Sequence, residues 1–432
     1  MHKRYIFILI AFILFSNSLA QTNLPLEKRL FIFSKTYATI PLYFAHWDGT
    51  PQFNLDSLYQ AFLPKVLQAK TRKDFALVMM AFIANLNNGH SWYSDRQLFQ
   101  NTKPLGFYLT DLNGEWVVTY SQIPDLPVGE VVVALNHQPI ENWYHRFRPY
   151  ISASSERARR TKFGFYRFLF PEKLILTTAS GRTLYIDRSQ LSSHPPQKVS
   201  GQWIDTLHTA YIKIPSFAGL HYENTALAFV NQFQQAQTLI IDLRGNGGGN
   251  TPSQLIKALQ DRPYRSWQES TPVTIGLFKA YAELYRLLGP QLKGTDKDLL
   301  ESLGQIFNRP QLMWPAQWEK PDSTHFTGKL IFLVDRRCAS ACEDFIIPFK
   351  DNHRAVLIGE TTMGSSGQPY IFLFDEFISI GIGTKREYFP DGSTFEGRGI
   401  APDIEVIPTA VQLKAGKDVV LERAIQMAHQ SR

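Results

Sequence analysis

The chain has 432 residues, 44% of them hydrophobic and 19% charged, and a formal net charge of +7. That length allows two or three domains with full cores, and the composition is that of a globular protein. The weak, scattered positive charge excludes the clustered basic face of a nucleic-acid binder; the nearest run, Arg157-Ala158-Arg159-Arg160, reads as solvated surface.

At the start, Lys3 and Arg4 form a charged region, Ile6 to Phe15 an apolar stretch, and Ser18-Leu19-Ala20 a small-residue cleavage site. A membrane span needs about 20 apolar residues, so this run is short for one. The pattern predicts a signal peptide over 1–20, cleaved after Ala20, and an exported protein, periplasmic or secreted. Losing Lys3 and Arg4 takes the formal charge from +7 to +5. No later stretch is long and apolar enough to span a bilayer, so no stable membrane span is expected after cleavage.

Residues 21–101 read as a helical unit. Leu58, Phe62, Leu63, Val66 and Leu67 share one face, and Phe75, Leu77, Met79, Phe82, Ile83 and Leu86 another. Asn87-Asn88-Gly89 ends the second helix with residues that tolerate a left-handed backbone, which puts His90 on a loop just past a helix end. Residues 102–196 change to short strands, at 107–109, 116–119, 131–135, 174–177 and 183–187, separated by Asn113-Gly114 and Pro127-Val128-Gly129. The run Pro127 to Asn136 resembles the turn and following strand of a PDZ fold, with Glu130 where aspartate is commoner. Such modules bind peptide ends by adding a strand to a sheet edge.

From 197 to 432 the pattern alternates: strands at 209–214 and 238–243, a glycine-rich loop, a helix at 253–259, a strand ending at Asp335, a helix after Ser340 and a strand at 355–359. That order predicts an α/β domain with a mainly parallel sheet. A partly helical insertion at about 262–325 interrupts it, and its Leu284, Leu287 and Leu288 share a face that suits either a lid over a site or a peripheral hairpin.

The segment Cys338-Ala339-Ser340-Ala341-Cys342-Glu343 lies between the apolar run Lys329 to Asp335 and an amphipathic stretch, Asp344 to Asn352. A small-residue turn there lifts the Ser340 hydroxyl to a helix N-terminus, where free N–H groups and the helix dipole favour developing negative charge. Cys338 and Cys342 are the chain's two cysteines; a disulfide between them would strain that turn, so small thiols are expected. No zinc or haem spacing occurs, and neither a metal nor another cofactor is expected. The loop Asp242-Leu243-Arg244-Gly245-Asn246-Gly247-Gly248-Gly249-Asn250 follows a buried strand and opens a helix. It lacks the Gly-Lys-Ser/Thr of a phosphate loop, so its N–H groups, from Gly247 or Gly248, are read as oxyanion donors beside that of Ala341.

These elements, together with Asn88-Gly89-His90-Ser91, Arg354 to Gly364 and Glu396-Gly397-Arg398-Gly399-Ile400-Ala401-Pro402-Asp403, resemble the carboxyl-terminal-processing and tricorn-core serine peptidase family. The resemblance covers nearly the whole mature chain and implies a helical cap, a PDZ-like module and a ClpP/crotonase-like α/β catalytic domain. In the Ser-Lys branch of that family a lysine lies 25 residues after the nucleophile; here Ser365 stands there, unless another lysine such as Lys385 substitutes. The tricorn-like branch instead implies His90 as base and Glu396 as the carboxylate that orients it, aided by Ser91 or Ser365. Glu343, Asp351 and Thr362 match positions expected to order the Ser340 helix and the neighbouring strand. The implied activity is an exported serine peptidase acting on flexible or unfolded chains, with a peptide or protein as its partner and an oligomeric state left open. A catalytically silent binding protein of the same fold, and an esterase or amidase of small molecules, are the alternatives.

Overall fold

The computed structural model describes residues 24–47, 52–100, 102–193, 197–206, 208–274 and 311–430. The expected signal peptide and Leu284, Leu287 and Leu288 lie outside the described residues. No helix among the described residues is long and apolar enough to cross a membrane.

Three helices, Leu26–Tyr43, Leu55–Gln68 and Arg72–Ala84, open the chain. Asn54 caps the second, and Thr71 with Asp74 forms a reciprocal capping box on the third. Their apolar faces bury Phe33, Ile40, Val66, Phe75, Met79 and Phe82 in one core. Each such burial is worth about 1.5–3 kcal/mol. That core is completed from far downstream: Ile378, Ile380 and Ile382 belong to it. Their strand, Ile378–Gly383, pairs antiparallel with Trp92–Asp95 on one side and with Pro369–Leu373 on the other. The N-terminal unit is therefore not helical throughout, and a bidentate Arg72–Asp95 pair at 2.7 and 2.9 Å ties its third helix to this sheet.

The middle module has its own core around Trp116, Leu135, Trp143, Tyr144, Phe163 and Phe170. A hairpin, Phe107–Leu112 with Glu115–Ser121, turns at Asn113 and Gly114, both at positive φ as a two-residue hairpin loop requires. Beside it stands a sheet of Val132–Leu135, Gln138–Pro139, Lys173–Thr178 and Thr183–Asp187.

In the α/β region six strands form one sheet in the order Ile404–Glu405, Ala355–Gly359, Lys329–Val334, Thr238–Asp242, Thr209–Lys213, Ser200–Trp203. All neighbours are parallel except the last pair. The strands Thr238–Asp242 and Lys329–Val334 are buried on both faces, which explains their unbroken apolar runs. The described ends of the insertion are strands: Gln268–Pro272 pairs with Gln311–Trp314 and with Arg386–Tyr388. Because the central strands run parallel, the loops after Lys213, Asp242 and Val334 leave from one edge, the usual place for a site in such a sheet.

Candidate active site

Ser340 stands between the strand Lys329–Val334 and the helix Ala341–Asp351, with φ 56° and ψ −129°. A non-glycine residue in that conformation costs about 1–3 kcal/mol, so its surroundings must hold it. They do so through Glu343, which is fully buried. Its carboxyl accepts from Thr362 Oγ1 (2.5 Å), Gly364 N (2.8 Å), Ser365 N (3.0 Å) and Ser340 N (3.2 Å). Burial pushes the Glu343 carboxyl up to about 8 against the pull of these donors. Thr362 Oγ1 in turn accepts from Ile400 N at 2.7 Å, and Ser340 N also donates to Ser365 O at 3.0 Å. Glu343, Thr362 and Ser365 thus lie together around the serine.

The glycine loop packs against this turn. Gly248 has φ +91°, and a Cβ there would fall 2.6 Å from Ala339 O and 2.8 Å from Ser340 Cβ, so only glycine fits. Its N–H donates to Asn246 Oδ1 at 2.9 Å, which leaves Gly247 rather than Gly248 with an N–H to offer. Among the described residues neither Gly247 N nor Ala341 N has a hydrogen-bond partner. The buried side chain of Asn246 fixes the loop by donating to Ile214 O at 3.1 Å.

His90 comes from the opposite side, on the loop that follows the third helix; Asn87, at φ 48°, makes the left-handed turn that ends it. Its Nε2 is 3.0 Å from Ser340 Oγ, and its Nδ1 is 3.1 Å from Ser365 Oγ. With Nε2 accepting from the hydroxyl, Nδ1 carries the proton and donates it to Ser365. The group on the far side of the ring is therefore a serine, and Glu396 stands one residue further out. The Glu396 carboxylate accepts from Asn88 Nδ2 (3.2 Å), Ser366 N (2.6 Å) and Ser366 Oγ (2.8 Å), and His46 Nδ1 lies 3.8 Å from it. Asn88 Oδ1 accepts from His90 N (3.1 Å) and Ser91 Oγ (3.0 Å), and Ser91 Oγ accepts from Gly383 N (3.1 Å). Ser91 thus ties the loop to the sheet, and among the described residues it makes no hydrogen bond to the ring.

Two further expected residues stand apart. Asp351 ends the helix that Ser340 begins, about 15 Å along it by helical rise, where it pairs with Arg265 at 2.7 and 3.0 Å. Lys385 is held by Glu269 (2.6 Å) and Glu387 (2.7 Å). The lysine beside the site is instead Lys162, whose Nζ donates to Gly89 O and Ser152 O, both at 3.2 Å. Gly89 makes room for it: a Cβ there would meet Ser365 Oγ at 2.3 Å and Lys162 Nζ at 3.3 Å. Neither Lys162, Asn88 nor Ser366 carries a sequence signal beyond its neighbours; the Asn-Gly step before His90 was the sole hint. Cys338 and Cys342 are free thiols, both buried.

Burial lowers the His90 pKa to about 4; Glu396 pulls it up, while Lys162, His46 and Lys385 push it down. Glu396 itself stays ionised, held below its ordinary value by His46 and its hydrogen bonds although burial opposes this. The ring is thus neutral at pH 7, as a proton acceptor must be. Ser340, His90 and Ser365 open onto a cleft of about 1040 Å³ between the middle module and the α/β region. Among the described residues no group of His, Cys, Asp and Glu side chains converges as metal ligands would.

Residues 208–406 match the model of Peptidase family S41. A tail-specific protease of Haemophilus influenzae is 28% identical over 218 residues, covering 48% of this chain but 25% of that protein's length. The fold resembles mature CPAF complexed with lactacystin, with a TM-score of 0.72 at 14% identity over 94% of this chain and 99% of that one. It also resembles the photosystem II D1 C-terminal processing protease, with a TM-score of 0.51 at 16% identity over 91% and 98% of the two chains. At such identities these two likenesses concern the fold.

Proposed function

With residues 208–406 placing this chain in peptidase family S41, we propose that it is an exported serine peptidase that cleaves flexible chains through an acyl-enzyme on Ser340. The observation that carries this reading is the 3.0 Å approach of His90 Nε2 to Ser340 Oγ, at a helix N-terminus with two uncommitted N–H groups. A serine hydroxyl is a poor nucleophile at neutral pH, so His90 takes its proton as Oγ attacks the carbonyl. The tetrahedral oxyanion is received by Gly247 N and Ala341 N. His90 then returns the proton to the leaving amine, and water repeats the cycle on the ester. Ser365 accepts from Nδ1 and keeps the ring in the tautomer that leaves Nε2 free. Glu396 stabilises the imidazolium through space and through Asn88. Glu343 and Thr362 hold the strained serine.

The middle module supports a peptide substrate. Among the described residues the strand Phe107–Leu112 pairs with one partner strand alone, and Phe107 to Thr110 line the cleft. A substrate strand added to that open edge, as in PDZ-like modules, would run toward Ser340. A fluorophosphonate probe tests the chemistry. Covalent labelling of the wild type is expected, absent in Ser340→Ala and reduced at least about a hundredfold in rate in His90→Ala. A wild type that takes no label is a binding protein, and this reading then fails. Digestion of a peptide library, with products read by mass spectrometry, separates a peptidase from an esterase of small molecules.

A further inference from the structure

The cleft before Ser340 is lined by five cationic side chains, Lys162, Arg167, Lys213, Arg244 and Arg337, and by no aspartate or glutamate among the described residues. Three of the five are neutralised from behind. Lys213 pairs with Asp242 at 3.0 Å, Arg244 with Asp242 and Asp418 at 2.7 Å, and Arg337 with Asp335 at 3.1 Å. The other two are not: among the described residues neither Lys162 nor Arg167 has a carboxylate within salt-bridge distance. Lys162 uses two of its three N–H donors on the carbonyls of Gly89 and Ser152. Its third donor has no partner among the described residues, and the residue borders the cleft. Arg167 follows five residues later and is exposed, with Phe165, itself 52% exposed, between them on the same wall.

A half-buried ammonium whose hydrogen bonds go to two carbonyls, with Glu396 acting on it only through space, keeps a donor and a charge that an anionic ligand in the cleft would engage. Its position says which part of the ligand. Lys162 lies against Gly89, the residue before His90, and His90 is the group that protonates the leaving amine. A carboxylate that reaches Lys162 therefore belongs to the portion of the substrate that departs with that amine.

We infer that Lys162 and Arg167 select substrates with an acidic side chain just carboxyl-terminal to the bond that is cut. The inference rests on the peptidase reading above and adds to it a substrate class. Lys162 and Arg167 act as specificity residues, and neither takes part in proton transfer.

The test is a pair of internally quenched peptides that differ by Glu against Gln within two residues after the scissile bond, each with an amidated end. For the wild type kcat/KM is expected to be about tenfold higher for Glu, the discrimination of one partly desolvated charged hydrogen bond. Raising the salt from about 0.05 to 0.5 M should shrink that ratio, because exposed Arg167 is screened. Arg167→Gln should lower the ratio about threefold, and Lys162→Gln should bring it near one. Arg167 is on the surface, so its variant folds even where Lys162→Gln does not. A ratio near one in the wild type, with Ser340-dependent cleavage of both peptides intact, overturns the inference and leaves the peptidase reading standing. A tenfold gain from freeing the end of the Gln peptide, with no gain from Glu, overturns it too and assigns the cations to a chain-end carboxylate. Binding of the same peptides to Ser340→Ala, followed by fluorescence anisotropy, keeps the two readings apart. Tighter binding of Glu without any turnover by the wild type leaves Lys162 and Arg167 as an anion-binding pair but overturns both the peptidase reading and the placement of the acid after a scissile bond.

Discussion

Ser340 and His90 are held by opposite constructions. The serine belongs to a strand–turn–helix segment whose main brace, Glu343, is three residues away, and whose other contacts come from 362–365 and the glycine loop. The histidine depends on four stretches scattered over the chain: Asn88, Ser152 to Lys162, Ser365 with Ser366, and Glu396. One half of the site is thus a local fold feature of the α/β sheet, and the other exists because three units of the molecule dock on one another. The lesson is that a strained nucleophile can be built from short-range chemistry, whereas a buried base needs the whole assembly to exclude water from it.

The comparison breaks first on the local half. Gly248→Ala puts a Cβ 2.6 Å from Ala339 O and 2.8 Å from Ser340 Cβ, with the backbone at φ +91°. The turn must shift, and with it both the hydroxyl and the Ala341 N–H. Loss of one oxyanion donor alone costs two to three orders of magnitude, so kcat should fall on the order of a thousandfold. Circular dichroism should show the fold retained; an active Gly248→Ala enzyme would mean that the loop is not seated on Ser340.

The dispersed half should degrade in steps. Glu396→Gln removes the one buried carboxylate that pulls the His90 pKa up, without removing any bond to the ring. The imidazolium formed in the transition state loses a through-space partner in a low-dielectric site, and kcat should drop about a hundredfold. Ser365→Ala removes the ring's direct neighbour, whose bond from Nδ1 strengthens by about 1–1.5 kcal/mol as the imidazolium forms, so a loss of about tenfold is expected. Steady-state kinetics on one ester substrate ranks the two. A larger loss in Ser365→Ala would show that contact outweighs charge here.

The same asymmetry explains what could be read in the residues. The parallel strands at 209–213, 238–242, 329–334 and 355–359 are marked by apolar runs, and Ser340 by small neighbours between a strand and a helix, so both the fold and the place of Ser340 at a helix N-terminus were legible. His90 stood out because a left-handed Asn87 and a glycine precede it. The resemblance names Ser365 beside Ser91 as an aid to Glu396, but that Ser365 meets the ring while Glu396 binds Asn88 and Ser366 was not legible, since this depends on where loops 31 residues apart in the chain come to lie. Nor was the strand Ile378–Gly383 in the N-terminal core, because its partner Trp92–Asp95 is too short to show a pattern. Lys162 follows a short helix like any surface lysine, and only docking buries it against Gly89.

The subtlest effect concerns pH. A base must be neutral to accept a proton, so activity is present above its pKa and lost as pH falls through it. Burial sets His90 at about 4 in place of its ordinary 6.5. The acid limb of kcat/KM on a neutral ester should therefore lie near pH 4, with full activity through pH 6. The charges facing the ring give the signs of two further shifts. Glu396 raises the His90 pKa, so Glu396→Gln should move the limb to lower pH. Lys162 lowers it, alongside His46 and Lys385, so Lys162→Gln should move the limb to higher pH. Shifts in opposite directions are what a field of buried charges produces, and a loosened fold would move both variants the same way, toward the 6.5 of a solvated ring. A limb that sits near 6.5 in the wild type and ignores both substitutions would mean that water reaches His90, and that docking of the three units does not seal the base.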